Sequence, residues 1–231
     1  MHYLGGKFRV AKDIAIIVES YRQEDQPYLE PFVGAGWVLQ EVVGQRMASD
    51  INPYLIELYK ALQRGWIPPS QVSESEYHEA KVGDFCPPYL RAFIGFGCSW
   101  GGKWFGGYAR DPKSDRNYAL NAQRSLLKAL PRIQDVSFHI REYTDWSPQE
   151  LMIYCDPPYE NTTAYSAAPN FNYPKFWAMM RSWSNRNTVL ISSYYAPPDF
   201  ETVWSKETKT DLGNSKGEKI PRLERLFKYH G

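Results

Sequence analysis

The stretch Ile-Tyr-Cys-Asp-Pro-Pro-Tyr, residues 153–159, is the most informative part of the sequence. Its prolines fix φ and remove two backbone N–H donors, so they predict a rigid loop after an apolar strand. Ligands of open α/β sheets bind at the carboxyl ends of strands. Such a loop would present the carboxylate of Asp156, the carbonyl of Pro157 and the ring of Tyr159 together. Two acceptors beside a flat ring suit an aromatic amine; a strand-end turn with a helix-capping Asp is the structural alternative.

A second motif, Glu-Pro-Phe-Val-Gly-Ala-Gly at residues 30–36, precedes the first and is followed by Asp50. Gly34 and Gly36 allow a tight turn after a strand and a close approach of backbone to a ligand. An acid at the end of the next strand can accept hydrogen bonds from ribose hydroxyls. Leu39 replaces the third glycine of GxGxxG, which a cofactor without a pyrophosphate does not require. By itself this motif is equally compatible with a strand–turn–helix that binds nothing.

A third motif, Tyr-Leu-Gly-Gly-Lys at residues 3–7, opens the chain. A flexible glycine turn that carries an aromatic ring and a cation could close over a ligand carboxylate. An incidental glycine pair in an unstructured start is the alternative.

Together the three motifs resemble the Dam-like (D12 class) adenine-specific DNA methyltransferases, in which a Gly-Gly-Lys motif, an FxGxG motif, a target-recognition region and DPPY follow one another. The resemblance spans essentially the whole chain. It implies an α/β fold of the S-adenosylmethionine-dependent methyltransferase (Rossmann-like) type, with a mixed, mostly parallel sheet and an inserted target-recognition region. The cofactor contacts predicted for S-adenosyl-L-methionine are Tyr3, Lys7, Phe32, Gly34, Gly36, Asp50 and Asp156.

The same resemblance implies that Asp156, Pro157 and Tyr159 act on the substrate amine. At the position of Tyr3 the family often has Trp, so the ring is retained. The family often carries an acid–aromatic pair on the strand before DPPY. Glu142-Tyr143 is the expected equivalent, with Asp145 as a competing acid.

Hydrophobic periodicity alternates between helices and strands over most of the chain. It predicts an inserted module at residues 65–133, where prolines and glycines interrupt the pattern, and the resemblance implies that this module is the target-recognition region. Residues 1–64 and 134–231 then form the methyltransferase catalytic domain. Predicted helices cover residues 8–20, 37–43, 53–64 and 174–183. Predicted strands cover residues 28–33, 46–49, 136–143, 151–155 and 188–193, and residues 200–204 and 223–229 supply the last two strands or their flanks.

The predicted insertion is locally basic. Between residues 101 and 132 there are seven Lys and Arg residues against two Asp residues, although the net charge of the chain is only +1. Residues 99–110 interleave aromatics, glycines and cations, a composition that suits phosphate neutralisation and base stacking. The alternative is a glycine-rich surface loop whose aromatics pack inward. The predicted DNA contacts are Lys103, Trp104, Arg110 and Arg116.

Residues 97–103 also match the GxxxxGK start of a P-loop. Trp104 stands where the Mg²⁺-binding Ser or Thr belongs, so the sequence does not favour an NTPase.

Composition narrows the class of protein. The chain has 231 residues, 43% of them hydrophobic and 23% charged, which excludes a disordered tail or a fibre. The first twenty residues contain no apolar h-region and the sequence has no membrane-length apolar stretch, so we expect neither a secretory signal nor a membrane span. Three widely spaced cysteines favour reduced thiols in a cytoplasmic protein, and four scattered histidines indicate no metal site. We expect a monomer or weak dimer.

The sequence therefore predicts a cytoplasmic S-adenosylmethionine-dependent enzyme that methylates N6 of an adenine flipped out of double-stranded DNA. Alternatives are a methyltransferase acting on RNA adenine, on DNA cytosine N4 or on a glutamine side chain. A catalytically silent DNA-binding protein of the same fold is a further alternative.

Overall fold

Seven strands form one sheet in the computed structural model of the chain, which describes residues 6–83, 86–111, 115–160, 171–213 and 219–231. The sheet order is β3-β2-β1-β4-β5-β7-β6; β1 to β5 pair in parallel, and β7 is antiparallel to both β5 and β6. The mixed, mostly parallel sheet is confirmed. The strands are β1 (Tyr28–Glu30), β2 (Arg46–Asp50), β3 (Ser137–Ile140), β4 (Met152–Cys155), β5 (Thr188–Ser193), β6 (Phe200–Gly213) and β7 (Lys219–Tyr229).

The strand order reverses at β1, and open α/β sheets bind ligands at the carboxyl ends of the strands beside such a reversal. The chain leaves β1 to form β2 and β3 on one side, then returns to form β4 and β5 on the other side. Connections on either side of β1 thus run in opposite directions, which separates the loops and leaves room for a ligand. The loops after β1, β2 and β4 all open onto this edge.

The helices largely follow the capping residues in the sequence. Asn52 accepts hydrogen bonds from the backbone N–H groups of Tyr54 and Leu55, and Pro53 occupies the first helical position. The predicted helix after Asn52 is therefore confirmed. Within the described residues the α-helices are α1 (Ala11–Tyr21), α2 (Pro53–Gln63), α3 (Glu74–Val82), α4 (Pro88–Ala92), α5 (Tyr118–Ile133) and α6 (Tyr173–Ser184).

Two predicted elements near the site differ in the structure. The helix predicted at residues 37–43 is a series of turns, because the guanidinium of Arg46 donates to the carbonyls of Leu39 and Val42, at 3.0 and 2.8 Å. The strand predicted at residues 136–143 ends at Ile140, and a short 3₁₀ turn, Tyr143–Asp145, follows it.

The region predicted to be irregular, residues 65–133, is mainly helical. Pro88 starts α4 rather than interrupting a helix. Pro131 removes one N–H donor from the last turn of α5, where only two helical residues follow it. A π-helical segment, Phe93–Gly97, continues α4. Counting prolines and glycines as breakers was wrong here because these prolines stand at helix ends.

Both faces of the sheet are buried, in two apolar clusters. Along β4, Met152 and Tyr154 contact the cluster that contains α1 and α2, while Ile153 and Cys155 contact the cluster that contains α6. The first cluster also includes buried residues of α3, α4 and α5, so the inserted region shares its core with the sheet. The domain boundaries at residues 64 and 134 stay a prediction.

Candidate active site

The predicted catalytic loop follows β4 and contacts Lys7. The ammonium of Lys7 lies 2.9 Å from Oδ1 of Asp156 and 4.5 Å from the centroid of the Tyr159 ring. Lys7 is buried, with 8% of its surface exposed, although a lysine is seldom buried without a partner. The structure therefore brings Lys7 together with Asp156 and Tyr159, which lie about 150 residues further along the sequence. Pro157, which stands between Asp156 and Tyr159 in the sequence, is also buried.

Glu224 on β7 also belongs to this cluster and was missed by the sequence analysis. Its Oε2 accepts a hydrogen bond from the hydroxyl of Tyr159 at 3.1 Å and lies 3.9 Å from the ammonium of Lys7. Glu224 stands two residues before Leu226, which is fully buried, and alternate residues of a strand share a face. The sequence signal that could have identified Glu224 was an acid at the alternate position to a leucine, on the same face of a strand.

The glycine loop after β1 is held by the acid at the end of β2. The N–H of Gly34 donates to Oδ2 of Asp50 at 3.0 Å, and the N–H of Asn52 donates to Oδ1 at 2.9 Å. The hydroxyl of Tyr59 donates to the carbonyl of Gly34 at 2.7 Å. Gly34 and Gly36 have φ values of 45° and 62°, in the left-handed region that favours glycine. Asp50 thus fixes the shape of the loop.

Phe32, another predicted cofactor contact, directs its ring into the core. The ring lies 5.1 Å from Tyr143 and 5.9 Å from Phe176, measured between centroids. Tyr143 is buried, whereas Glu142 and Asp145 are both exposed at the 3₁₀ turn after β3. Tyr3 lies outside the described residues.

Burial perturbs the acids of the site. Burial raises the pKa of Glu30 to about 8, against the hydrogen bond that its carboxylate accepts from Tyr28 at 2.7 Å; the negative charge of Asp156 raises it further. Burial also raises the pKa of Asp156, which Lys7 opposes and Glu224 reinforces. The pKa of Asp50 is raised by burial, against the N–H groups of Asn52 and Gly34.

The same neighbours keep Lys7 charged and the hydroxyl of Tyr159 protonated. Burial would lower the pKa of Lys7, but the carboxylates of Asp156 and Glu224 outweigh burial and raise it, so the ammonium stays charged. Burial and both carboxylates raise the pKa of Tyr159 well above its ordinary value, so its hydroxyl remains a donor. Because the carboxylates of Asp156 and Glu224 surround one ammonium, the net charge of this cluster is negative.

The predicted DNA contacts lie on the inserted region with different exposures. Lys103 is exposed; Arg110 is exposed and pairs with Glu74 at 2.7 Å; Arg116 is exposed, 4.9 Å from the ring of Tyr118. The structure does not bring them into the cluster around Asp156.

Trp104 packs inward, as the alternative interpretation of this segment expected. Its ring stacks on Tyr54 at 5.2 Å and contacts Phe96 at 4.8 Å. Trp100 is the aromatic of the segment that faces solvent, with 58% of its surface exposed. Tyr54 lies in the first turn of α2, four residues after Asp50. The stacking of Trp104 on Tyr54 therefore holds the glycine-rich segment beside the carboxyl ends of the strands. A DNA contact by Trp104 stays a prediction.

Among the described residues no helix is both long and apolar enough to cross a membrane, and no group of three metal-ligating side chains occurs. Cys86, Cys98 and Cys155 form no disulfide bond with one another.

A model of the D12 class N6 adenine-specific DNA methyltransferase family matches residues 3–82 of the 231-residue chain, in agreement with the resemblance seen in the sequence. The match includes the Gly-Gly-Lys motif, the glycine loop and Asp50; Asp156 lies outside it. No curated protein matches the sequence.

Three solved structures are similar over most of the chain. A Pyrococcus horikoshii protein, named as a candidate RNA methyltransferase, has a TM-score of 0.42 and 7% identity, and covers 95% of this chain and 78% of its own. A conserved hypothetical protein from Streptococcus pyogenes has a TM-score of 0.38 and 10% identity, covering 94% and 95%. A candidate methyltransferase complexed with SAH has a TM-score of 0.36 and 11% identity, covering 98% and 54%. Because all three TM-scores are below 0.5, the fold is described by the strand order of the sheet and not by these similarities.

Proposed function

We propose that this protein is an S-adenosylmethionine-dependent DNA methyltransferase that modifies N6 of an adenine flipped out of the duplex. The match of residues 3–82 to the D12 family model supports both the methyl transfer and the cofactor. The observation that carries the proposal is the position of Lys7. Its ammonium donates to Asp156 and lies over the Tyr159 ring, so the loop already holds an N–H donor between a carboxylate and an aromatic face.

An adenine amino group would use the same two features. Its lone pair is conjugated into the ring and is a poor nucleophile. Asp156 and the carbonyl of Pro157 would accept its two N–H bonds, which favours a tetrahedral nitrogen and frees the lone pair. Orientation and electrostatics suffice for such a transfer, without a covalent enzyme intermediate. The carboxylate of Asp156 has two oxygens, so the amine can replace or accompany Lys7.

The residues present fit the cofactor. S-adenosylmethionine, when bound, supplies a methyl group activated by a sulfonium cation, and the negative cluster of Asp156, Glu224 and Lys7 favours a cationic ligand. Each oxygen of the Asp50 carboxylate accepts one of the N–H bonds from Gly34 and Asn52, and a carboxylate has about four acceptor positions, which leaves capacity for ribose hydroxyls.

Exposed cations support the proposal that the inserted region binds duplex DNA. The exposed cations Lys103, Arg110 and Arg116 belong to a region packed beside the carboxyl edge, through Tyr54 and Trp104. Flipping a base costs a few kcal/mol, and stacking on Tyr159 would offset about 1–3 kcal/mol of this cost.

Transfer of labelled methyl groups tests the proposal. Polymerase-made duplex DNA, single-stranded DNA, an RNA transcript and a protein extract are compared as acceptors, followed by nucleoside and amino-acid analysis. We expect N6-methyladenine in duplex DNA. Label in N4-methylcytosine, in RNA or in glutamine would replace the assigned substrate, and DNA binding without transfer would indicate a catalytically silent protein.

Asp156→Ala should reduce transfer by at least about a hundredfold, because it removes an acceptor made for the reacting amine. Glu201→Gln, which alters an exposed carboxylate on β6, is the control. Cofactor binding is measured separately by calorimetry, since Asp156 is also a predicted cofactor contact. Activity of Asp156→Ala within tenfold of the wild type would contradict the mechanism.

A further inference from the structure

We infer that Glu224 is a positioning residue that orients the Tyr159 ring for the target base and releases Asp156 from Lys7. The inference rests on the proposed function for the identity of that base. Glu224 touches neither the reacting amine nor the methyl group in this scheme; it acts through Tyr159 and Lys7.

The hydroxyl of Tyr159 is the first point of contact. It donates to Oε2 of Glu224 at 3.1 Å, and this carboxylate is anchored on β7, between β5 and β6. Tyr159 itself lies on the loop after β4, which has no strand partner of its own. The bond therefore fixes the far end of a loop ring to a rigid sheet, and stacking depends on the plane of that ring.

A second contact from the same strand restrains the same ring. Arg225, the neighbour of Glu224, pairs with Ser193 across β5 and β7 and donates to the carbonyl of Tyr194 at 2.5 Å. The Tyr194 ring meets the Tyr159 ring edge to face, with centroids 4.6 Å apart. Consecutive residues of β7 thus hold Tyr159 at its hydroxyl and, through Tyr194, at its ring.

The second role concerns Lys7. Its ammonium lies between Asp156, at 2.9 Å, and Glu224, at 3.9 Å, so it is shared by two carboxylates. A buried ammonium that lost its only carboxylate would carry a large desolvation cost. Because Glu224 remains beside it, Lys7 can give up Asp156 when the amine arrives.

The kinetic test compares Glu224→Ala, Glu224→Gln and Glu207→Ala on duplex DNA. Glu207 is an exposed carboxylate on β6 opposite Leu223, one residue from Glu224 in register, and serves as the matched control. We expect Glu224→Ala to lower kcat about 10- to 100-fold while KM for DNA changes less than about threefold, because phosphate contacts dominate DNA affinity. Glu224→Gln, whose amide oxygen still accepts from Tyr159 but which carries no charge beside Lys7, should recover only the part of the loss that comes from the Tyr159 ring. A kcat for Glu224→Ala equal to that of Glu207→Ala would overturn the inference.

A cycle of unfolding measurements separates this inference from the proposed function. Glu224→Ala, Tyr159→Phe and the double variant are unfolded in denaturant, which needs no enzymatic activity. We expect the two substitutions to be non-additive by at least about threefold in the unfolding constant, as found for residues in contact. Additive effects would show that Glu224 does not hold Tyr159, whatever the reaction. Coupling without any methyl transfer by the wild type would leave the contact standing and reject the function.

Discussion

The two glycine-rich segments of this protein use the same residue for different purposes. In the loop after β1, Gly34 and Gly36 adopt positive φ values and let the backbone bend onto Asp50. In the inserted region, Gly95 and Gly97 lie in a π-helical segment, where neighbouring side chains leave no room for a Cβ. A Cβ on Gly95 would stand 2.7 Å from the Trp104 ring, well inside normal contact.

This difference agrees with the cofactor-binding role that we propose for the first segment and with the packing role of the glycines in the second. The first loop has its polar backbone tied to a carboxylate at the crevice, so its shape is held for a ligand. The second segment lets two helices and two aromatic rings approach closely, and Trp100 is its aromatic side chain that remains exposed. A glycine-rich composition therefore does not by itself identify a nucleic-acid contact.

The largest effect that would sharpen this comparison is expected for Asp50→Ala. It removes the acceptor of the Gly34 N–H and the proposed ribose contact, each a charge-assisted hydrogen bond. We expect cofactor affinity to fall by about 1.5–3 kcal/mol, with little change in DNA affinity. Asp50→Asn, which keeps one carbonyl acceptor, should lose less. An unchanged cofactor Kd in calorimetry would remove Asp50 from the site.

Gly97→Ala tests the packing role of the second segment. The added Cβ would lie 2.9 Å from the Cβ of Ala122 on α5, an atom that cannot rotate away. We expect a loss of about 1–3 kcal/mol in the free energy of unfolding. Ala122→Gly costs about 1 kcal/mol by itself as a helix substitution, but in the double variant it should relieve the clash. Additive losses in the double variant would show that this contact is not the cause.

The pH dependence of stability tests the first segment at Glu30. Its folded-state pKa of about 8 exceeds its ordinary value of 4.5, so between these values the folded protein holds a proton that the unfolded chain has released. This contribution is complete below about pH 4.5 and is lost as the pH rises to about 8. The free energy of unfolding should fall by at most about 1.4 kcal/mol per pH unit across this window.

Glu30→Gln provides the comparison, because the amide cannot titrate. Its unfolding free energy should be flatter over the same pH range, and the difference between the two curves isolates Glu30 from Asp156 and Asp50. Parallel curves for wild type and variant would exclude a protonated Glu30.

The smallest effect is expected for the double variant Lys103→Ala and Arg110→Ala. If both side chains touch phosphates, all duplexes should bind more weakly, and the slope of log K against log salt should become shallower by about 0.9 per lost contact. Arg110 is already paired with Glu74, which limits its share. Arg186→Ala is the control, because Arg186 is exposed and lies just before the amino end of β5. Wild-type affinity and slope on cognate and scrambled duplexes would place the DNA surface elsewhere.

Local sequence chemistry was sufficient for much of the fold. Strands β1, β2, β4 and β5 were predicted within a few residues, because short apolar runs flanked by polar or turn-forming residues are typical of buried strands in an α/β protein. The helix after Asn52 was predicted from its cap and its first proline. The central helices were missed, because a proline at a helix start and a proline that breaks a helix look alike when helix ends are unknown.

Motif chemistry by itself determined that Asp156, Pro157 and Tyr159 lie on a rigid loop after a strand, and that Gly34, Gly36 and Asp50 belong to neighbouring strand ends. Those inferences depend on backbone constraints that act within a few residues.

Only the tertiary structure decided which side chains complete the site. Glu224 meets Tyr159 because β7 inserts antiparallel between β5 and β6, a pairing that joins residues 65 positions apart. The burial of Trp104 and the exposure of Trp100 were likewise decided by the approach of Tyr54 from α2. Long-range pairing and burial depend on the whole packed core, and four residues of local sequence cannot distinguish one tryptophan from the other.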